Sequence, residues 1–344
     1  MKILIAGALG EGALEHYYIR GLKRNNVACD CFDITDAYYT AISRNLTNKV
    51  VNKIYPGIFF DPVNRSIKKF IDGKQYDAII VFKGMALYPE TISELKRHTK
   101  LLCCYNPDHP FRFYSPGSGN KNVLNSINLY DLYITYAGRI AKELRDSYGV
   151  ESFVLPFGYD DEVVPSEIPF TKAVGNLSFI GAYDNDRYKI LEKIEADNLL
   201  VYGDPKWGTR TGLNSKSRSR YTGQSVYGQD YVDIIASSDG VFNFLRQQNL
   251  EEGSHNMRTF EVPGYGGLLI SNRTEEQLCF FEEDKEAIYF ETIEELNDKL
   301  KFIKGKDTYI SMLKKNARDK SLKAGFGYSQ RTTTLLKHLS DLIN

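Results

Sequence analysis

Short apolar runs alternate with amphipathic stretches along this chain, and they do so in two series. In the first half, residues 2–6, 27–32, 76–83, 101–105, 131–135 and 154–156 read as strands. Residues 13–25, 89–98 and 138–148 read as helices between them, with Leu14, Tyr17, Tyr18 and Leu22 at helical spacing. In the second half, strands at 176–180, 199–202, 240–245, 268–270 and 287–289 alternate with helices at 186–196, 227–237, 259–265 and 293–303. Strands separated by helices cannot pair through tight hairpins. They cross over instead, which predicts the α/β class: parallel sheets with helices on both faces. The break between the series lies near residues 158–171, where Pro165 and Pro169 flank acidic residues. This is linker composition, of a length that suits a hinge.

Length and composition agree with two domains. The 344 residues suit a pair of ordinary domains, and 42% apolar side chains can fill their cores. Lys plus Arg balance Asp plus Glu at 44 each, which argues against a nucleic-acid binder relying on bulk charge. Small anionic ligands need only local charge and stay open. No apolar run is long enough to predict a membrane span, and the first residues read as a strand rather than a signal peptide. Cysteines 29, 31, 103, 104 and 279 show no zinc spacing and read as reduced thiols of a cytosolic protein.

The densest chemistry lies in residues 255–270, His-Asn-Met-Arg-Thr-Phe-Glu-Val-Pro-Gly-Tyr-Gly-Gly-Leu-Leu-Ile. Arg258 and Glu261, three apart, share a helix face. A guanidinium matches phosphate oxygens bidentately, and a carboxylate matches the two hydroxyls of a ribose. Together they fit a nucleoside diphosphate. The simpler alternative is an intrahelical ion pair, worth about 0.2–0.5 kcal/mol. Asn256 reads as the cap of that helix, and Thr259 joins it as a donor-side candidate. Arg246 follows a strand at its carboxyl end, where open parallel sheets bind ligands. Gly181 ends another strand, with Arg187 on the next helix facing either a phosphate or Asp184 and Asp186.

In the first half, Gly7-Ala-Leu-Gly10-Glu11-Gly12 lies between strand and helix. Its spacing is not the dinucleotide fingerprint, but Gly10, Glu11 and Gly12 could cradle an anion at a helix N-terminus. Asp33 is the one acid placed to complete such a fingerprint. Asp108 and His109, in the turn Asn-Pro-Asp-His-Pro, are candidate general bases, and His16 is their rival. Residues 204–224 carry five Lys or Arg among Gly, Ser and Thr, as a surface loop or a basic lid.

Residues 258–270 resemble the donor-site signature of bacterial glycosyltransferases of the spore-maturation, CgeB-like group, related to the group 1 glycosyltransferases. The resemblance extends to Phe179-Ile-Gly181 with Arg187, to Tyr227-Gly228 with Tyr231, to the acidic tail 291–300, and to Tyr328-Ser-Gln-Arg331. It is looser at residues 106–110 and 155–158. It implies a GT-B fold: two Rossmann-like domains facing across a cleft, an acceptor domain at 1–160, a donor domain at 170–328, and a last helix, 329–344, crossing back. It implies metal-independent transfer of a hexosyl or deoxyhexosyl group, with no cofactor beyond the nucleoside-diphosphate sugar substrate, UDP heading the nucleotides to test. Glu261 would hold the ribose, while Arg258, Arg187 and Arg246 would neutralise the diphosphate. The acceptor would be a glycan or a lipid-linked sugar in surface polysaccharide or glycoconjugate synthesis, the latter bringing the protein to the inner membrane surface. One departure stands out: many group 1 enzymes carry a glutamate eight residues before Glu261, where this chain has Gly253. Two rival functions remain, a nucleotide-sugar 2-epimerase and a non-catalytic nucleotide-sugar binding module.

Overall fold

The structure, a computed structural model, describes residues 1–10, 12–114, 117–165 and 175–344. The chain divides into two compact units, Met1–Pro156 with Tyr328–Asn344, and Phe157–Gly327. Both have the parallel α/β architecture expected from the alternation.

In the first unit, β1 (Lys2–Gly7), β2 (Ala28–Asp33), β3 (Tyr76–Phe82), β4 (Thr99–Asn106), β5 (Leu132–Thr135) and β6 (Ser152–Val154) form one sheet in the order β2-β1-β3-β4-β5-β6. All these pairings are parallel, with Ile5 of β1 opposite Cys31 on one side and Ile80 on the other. The central strands are apolar on both faces, Ile3–Ala6 and Ala78–Val81 being buried throughout. Burial on both faces is what makes these runs continuous rather than alternating.

Helix α1 (Leu14–Arg24) follows β1. Residues 36–71, for which the sequence suggests no element, fold as α2 (Asp36–Ser43), α3 (Leu46–Ile54) and α4 (Gly57–Ile71). The last helix, Tyr328–Ile343, belongs to the first unit and lies on α1: Tyr17 stacks on Tyr328 with ring centroids 4.5 Å apart. Gly21 makes this approach close, since a methyl group there would overlap the Thr332 side chain.

In the second unit, β7 (Leu177–Ile180), β8 (Leu199–Tyr202), β9 (Gly240–Asn243), β10 (Leu269–Asn272) and β11 (Ala287–Phe290) pair in parallel in the order β11-β10-β9-β7-β8. Phe179, Trp207, Phe242 and Phe244 form the aromatic heart of its core. The unit begins at Phe157, a few residues before the boundary at 160 expected from sequence. The reason is local: the Tyr159 amide donates to the Phe326 carbonyl (3.2 Å), and the Tyr159 ring lies edge-on to Tyr265. The linker expected at 158–171 falls partly on residues 166–174, outside the described residues.

Candidate functional site

Strand order decides where a doubly wound sheet can bind a ligand. Where successive connections leave in opposite directions, the loops at the carboxyl ends of two neighbouring strands part and open a crevice. In the second unit this switch lies between β7 and β9, because β7 connects to β8 on one side and through to β9 on the other. The end of β7 carries Gly181 and leads to Arg187, and the end of β9 leads to Arg246.

Arg187 lies in the first turn of the helix Asn185–Lys193, which Asp184 caps by accepting from the amides of Asp186 (3.0 Å) and Arg187 (3.3 Å). Asp184 is therefore spent on the helix end and forms no ion pair with Arg187. Burial, and then the positive charges of Arg258 and Arg246, push the Arg187 guanidinium down to about 10, with Asp184 acting the other way. Arg246 and Arg258 thus both lie close enough to Arg187 to repel it. Gly181 sits beneath them: a methyl group there would stand 3.6 Å from the guanidinium of Arg187 and 3.1 Å from the Phe179 ring.

Arg258 opens the short helix Arg258–Gly264. Its Nε is buried with no hydrogen-bond partner, and among the described residues it forms no ion pair. The intrahelical pair with Glu261 does not form. Instead Tyr231, on the helix Gly228–Ser237, donates its hydroxyl to Glu261 Oε2 at 2.7 Å. Burial raises the Glu261 pKa, while the Tyr231 hydrogen bond and the nearby Arg258 oppose the rise.

The loop that delivers this helix is braced. Asn243 and Asn256 exchange a reciprocal pair of amide hydrogen bonds (3.0 and 2.8 Å), and Asn256 Oδ1 also accepts from the Thr259 amide (3.3 Å). The His255 ring is held at 2.7 Å from Glu276, and Thr274 donates to the Ser254 carbonyl (2.8 Å). Gly253 ends the preceding helix at φ 64°, a left-handed conformation where a glutamate would be strained. The nearest buried carboxylate is Glu252, which accepts from the Ser254 hydroxyl (2.9 Å).

Two donor-side candidates have structural partners, Asn256 in the capping role its position suggests and Thr259 in the core. Thr259 is fully buried and donates to Gln277 Oε1 (2.8 Å), so it supports the loop and does not face a ligand. Asn256 is engaged as a cap and in its pair with Asn243. The basic stretch 204–224 is anchored rather than a lid. Arg220 donates to the carbonyls of Leu191, Ile194 and Ala196 (2.7, 3.0 and 2.7 Å), and Glu192 accepts from the amides of Lys216 and Ser217. Arg220 thus satisfies carbonyls that the end of the helix Asn185–Lys193 leaves open.

In the first unit the switch lies between β1 and β3. The glycine-rich turn after β1 could be a tight strand-to-helix turn or a cradle for an anion, and its first amides are engaged within the chain. The Ala8 amide donates to Glu15 Oε1 (2.6 Å) and the Leu9 amide to Asp33 Oδ2 (3.0 Å), so two carboxylates of the chain already occupy its leading donors. Glu15 seats there because Gly7 has no side chain to obstruct it. Burial raises the Glu15 pKa, and backbone hydrogen bonds and Lys83 oppose the rise. For Asp33, burial pushes up, but the amides of Asp36, Thr35 and Leu9 outweigh it and hold the carboxyl low. Gly10 and Gly12 have open space around them, Gly12 at φ 76°, and Glu11 lies outside the described residues.

The three candidate bases differ sharply. The buried ring of His109 accepts through Nδ1 from the amides of Phe111 (3.3 Å) and Arg112 (3.2 Å), so the lone pair a base needs is engaged in the turn. Asp108 pairs with Lys83 Nζ at 2.5 Å, and Lys83 also donates to the Gly117 carbonyl (2.9 Å) from a left-handed backbone (φ 60°). His16 meets the Leu9 carbonyl at 2.9 Å through Nε2. A carbonyl can only accept, so this nitrogen carries the proton, and the neutral ring keeps its lone pair on Nδ1. Tyr231 entered the sequence reading only as part of the resemblance, without a role, and Lys83 did not enter it as a site residue. Their partners lie 30 and 25 residues away, so no local spacing gives their roles.

Known proteins share both the fold and part of the sequence. Residues 187–337 match the family described as Glycosyl transferase-like. The match takes in most of the second unit and runs into the last helix of the first. No curated protein matches the chain. Among solved structures, sucrose-phosphate synthase from Thermosynechococcus elongatus is similar at a TM-score of 0.67 and 11% identity, covering 99% of both chains. Anabaena HepE in complex with UDP-glucose aligns at TM-score 0.63 and 13% identity, over 99% of this chain and 100% of that one. A proposed UDP-N-acetylglucosamine 2-epimerase from Listeria monocytogenes aligns at 0.56 and 12%, over 98% and 94%. At such identities the likeness gives the fold, and the fold is GT-B: two Rossmann-like α/β units with parallel sheets. The CgeB-like subgroup is neither supported nor opposed by these matches. Among the described residues, no three His, Cys, Asp or Glu side chains are grouped to hold a metal ion, and no helix is long and apolar enough to cross a membrane.

Proposed function

We propose that this protein transfers a sugar from a nucleoside-diphosphate sugar to an acceptor hydroxyl. The observation that carries the reading is the group of three arginines at the strand switch of the second unit, where Arg246 and Arg258 both bear on the half-buried Arg187. Arginines gathered with no ion pair to hold them among the described residues suit a multiply charged anion, and a pyrophosphate bears enough charge to engage all three. Glu261 is oriented by Tyr231 to accept from a ribose hydroxyl through its remaining oxygen. As the bond between the anomeric carbon and the diphosphate breaks, its electron pair leaves with the nucleotide, and the arginines stabilise that charge. The acceptor oxygen bonds to the anomeric carbon and gives its proton to a general base, for which His16, with its lone pair kept on Nδ1, is the candidate to test. Arginine side chains supply the positive charge, so the proposed reaction needs no metal.

The match over residues 187–337 favours transfer over epimerisation, although the fold is shared with both kinds of protein. UDP is the first nucleotide to test, since HepE is seen with UDP-glucose. A glycan or lipid-linked sugar as acceptor, in surface polysaccharide or glycoconjugate synthesis, completes the proposal, in a reducing compartment that keeps the five thiols free.

The test is to incubate the protein with nucleoside-diphosphate sugars and follow nucleotide release, with and without candidate acceptors. Transfer predicts release that accelerates with acceptor, and a large loss of turnover in His16→Gln with donor affinity kept. An epimeric sugar nucleotide formed from donor alone would favour the epimerase. Tight donor binding with neither release nor epimer would favour a binding module.

A further inference from the structure

Helix α3 is amphipathic the wrong way round for a soluble surface. Its polar side faces the protein: Asn48 donates to the Ala41 carbonyl (2.7 Å), and Asn52 accepts from the Tyr38 hydroxyl (3.3 Å). Its apolar side faces out. Leu46, Val50 and Ile54, spaced four apart on one face, are 78, 56 and 63% exposed, and no residue of α3 is buried. Tyr39, Tyr55 and Ile58 extend the same surface at 53, 66 and 60% exposure. An exposed stripe of this kind normally marks an interaction site.

Charge identifies the partner. Residues 37–60 contain Arg44, Lys49 and Lys53 and not one Asp or Glu, although acidic and basic residues balance over the whole chain. The acids bracketing the stretch are engaged, Asp36 with the Thr40 hydroxyl (3.3 Å) and Asp61 with the Tyr88 hydroxyl (2.8 Å). Lys49 and Lys53 fall on the flank of the Leu46–Val50–Ile54 stripe. Apolar residues with lysines at their flank and tyrosines at their margin match the layering of a bilayer surface: acyl chains, then the aromatic interface, then anionic headgroups.

We infer that α3 and its neighbours α2 and α4 form a docking surface for an anionic lipid bilayer, with α3 lying in the interface plane. The inference rests on this surface alone and is independent of the donor chemistry. It would hold the first unit at the plane where a lipid-linked acceptor resides.

The experiment is sedimentation of the full chain with vesicles of phosphatidylcholine alone, and of equal parts phosphatidylcholine and phosphatidylglycerol. Two variants separate the contributions: Leu46→Ser with Val50→Ser and Ile54→Ser, and Lys49→Glu with Lys53→Glu. All five positions are exposed, so both variants should melt like the wild type. The expected result is binding to the anionic vesicles that weakens with added salt and falls by about tenfold or more in each variant. Equal binding to pure phosphatidylcholine, undiminished binding by either variant, or no binding by the wild type would overturn the inference. So would self-association that the serine variant abolishes in the absence of vesicle binding, which would assign the stripe to a second copy of the chain.

Discussion

Arg258 and Glu261 share one face of a seven-residue helix, yet they do not neutralise each other. Tyr231 takes one carboxylate oxygen, and the buried Nε of Arg258 has no hydrogen-bond partner. A buried donor left open costs about 1–3 kcal/mol, so a ligand that satisfies it recovers that amount. Arg258→Ala should therefore weaken nucleoside-diphosphate binding about tenfold to hundredfold. Arg258→Lys should recover only part of this, because an ammonium lacks the planar fork; equal affinities for arginine and lysine in calorimetry would remove bidentate recognition. The pH response follows from Glu261. Ribose hydroxyls donate to the ionised carboxylate, so affinity should be full above the raised Glu261 pKa and should fall as pH drops through it. The Tyr231 hydrogen bond favours the ionised form, so Tyr231→Phe should raise that pKa and move the midpoint of the affinity curve to higher pH. A midpoint that stays put in calorimetry across pH would show that Glu261 does not contact the ligand.

At the scale of elements, the site depends on glycines that let backbones and rings approach. The Tyr159 ring lies where a side chain on Gly264 would be, directly beneath the helix carrying Arg258 and Glu261. Gly264→Ala should destabilise the second unit by about 1–3 kcal/mol through overpacking. Denaturant unfolding would measure this, and an unchanged midpoint would mean the ring moves aside freely. The βαβ rhythm of both units was legible because each strand and each amphipathic helix writes its own local period. The helix bearing Arg258 and Glu261 was legible for the same reason, being bounded by Asn256 and the glycines after it. The contacts of the first-unit turn were not legible because glycine spacing says nothing about which acids fold back onto its amides. Asp33 reaches the Leu9 amide from 24 residues away. Helix α3 has the apolar spacing of an amphipathic helix at Leu46, Val50 and Ile54, but its nine residues are too few for the period to stand out. His109 and Thr259 have the right chemistry for a site, but the local turn engages His109 and a partner 18 residues away engages Thr259.

For the whole molecule, the last helix completes the first unit even though the second unit intervenes in sequence. Its residues Tyr328, Thr332, Leu335 and Leu339 are buried in the first unit. Ending the chain at Gly327 should remove on the order of 5 kcal/mol of apolar burial, comparable to the stability of a small domain. Calorimetric melting should then lose the transition of the first unit while keeping that of the second; two intact transitions would contradict this division of the chain. Because the proposed leaving-group charge is met by arginines, adding a chelator should leave sugar transfer unchanged, and loss of activity that a divalent ion restores would contradict it. The most direct test of the central claim is calorimetric titration of uridine, guanosine, thymidine and cytidine diphosphates into the wild type and the double variant Arg258→Ala/Glu261→Ala. The account predicts that at least one nucleotide binds the wild type, and that the variant loses this binding while still melting as a cooperatively folded protein. Binding of equal strength to both proteins, or of no nucleotide to the wild type, would contradict it.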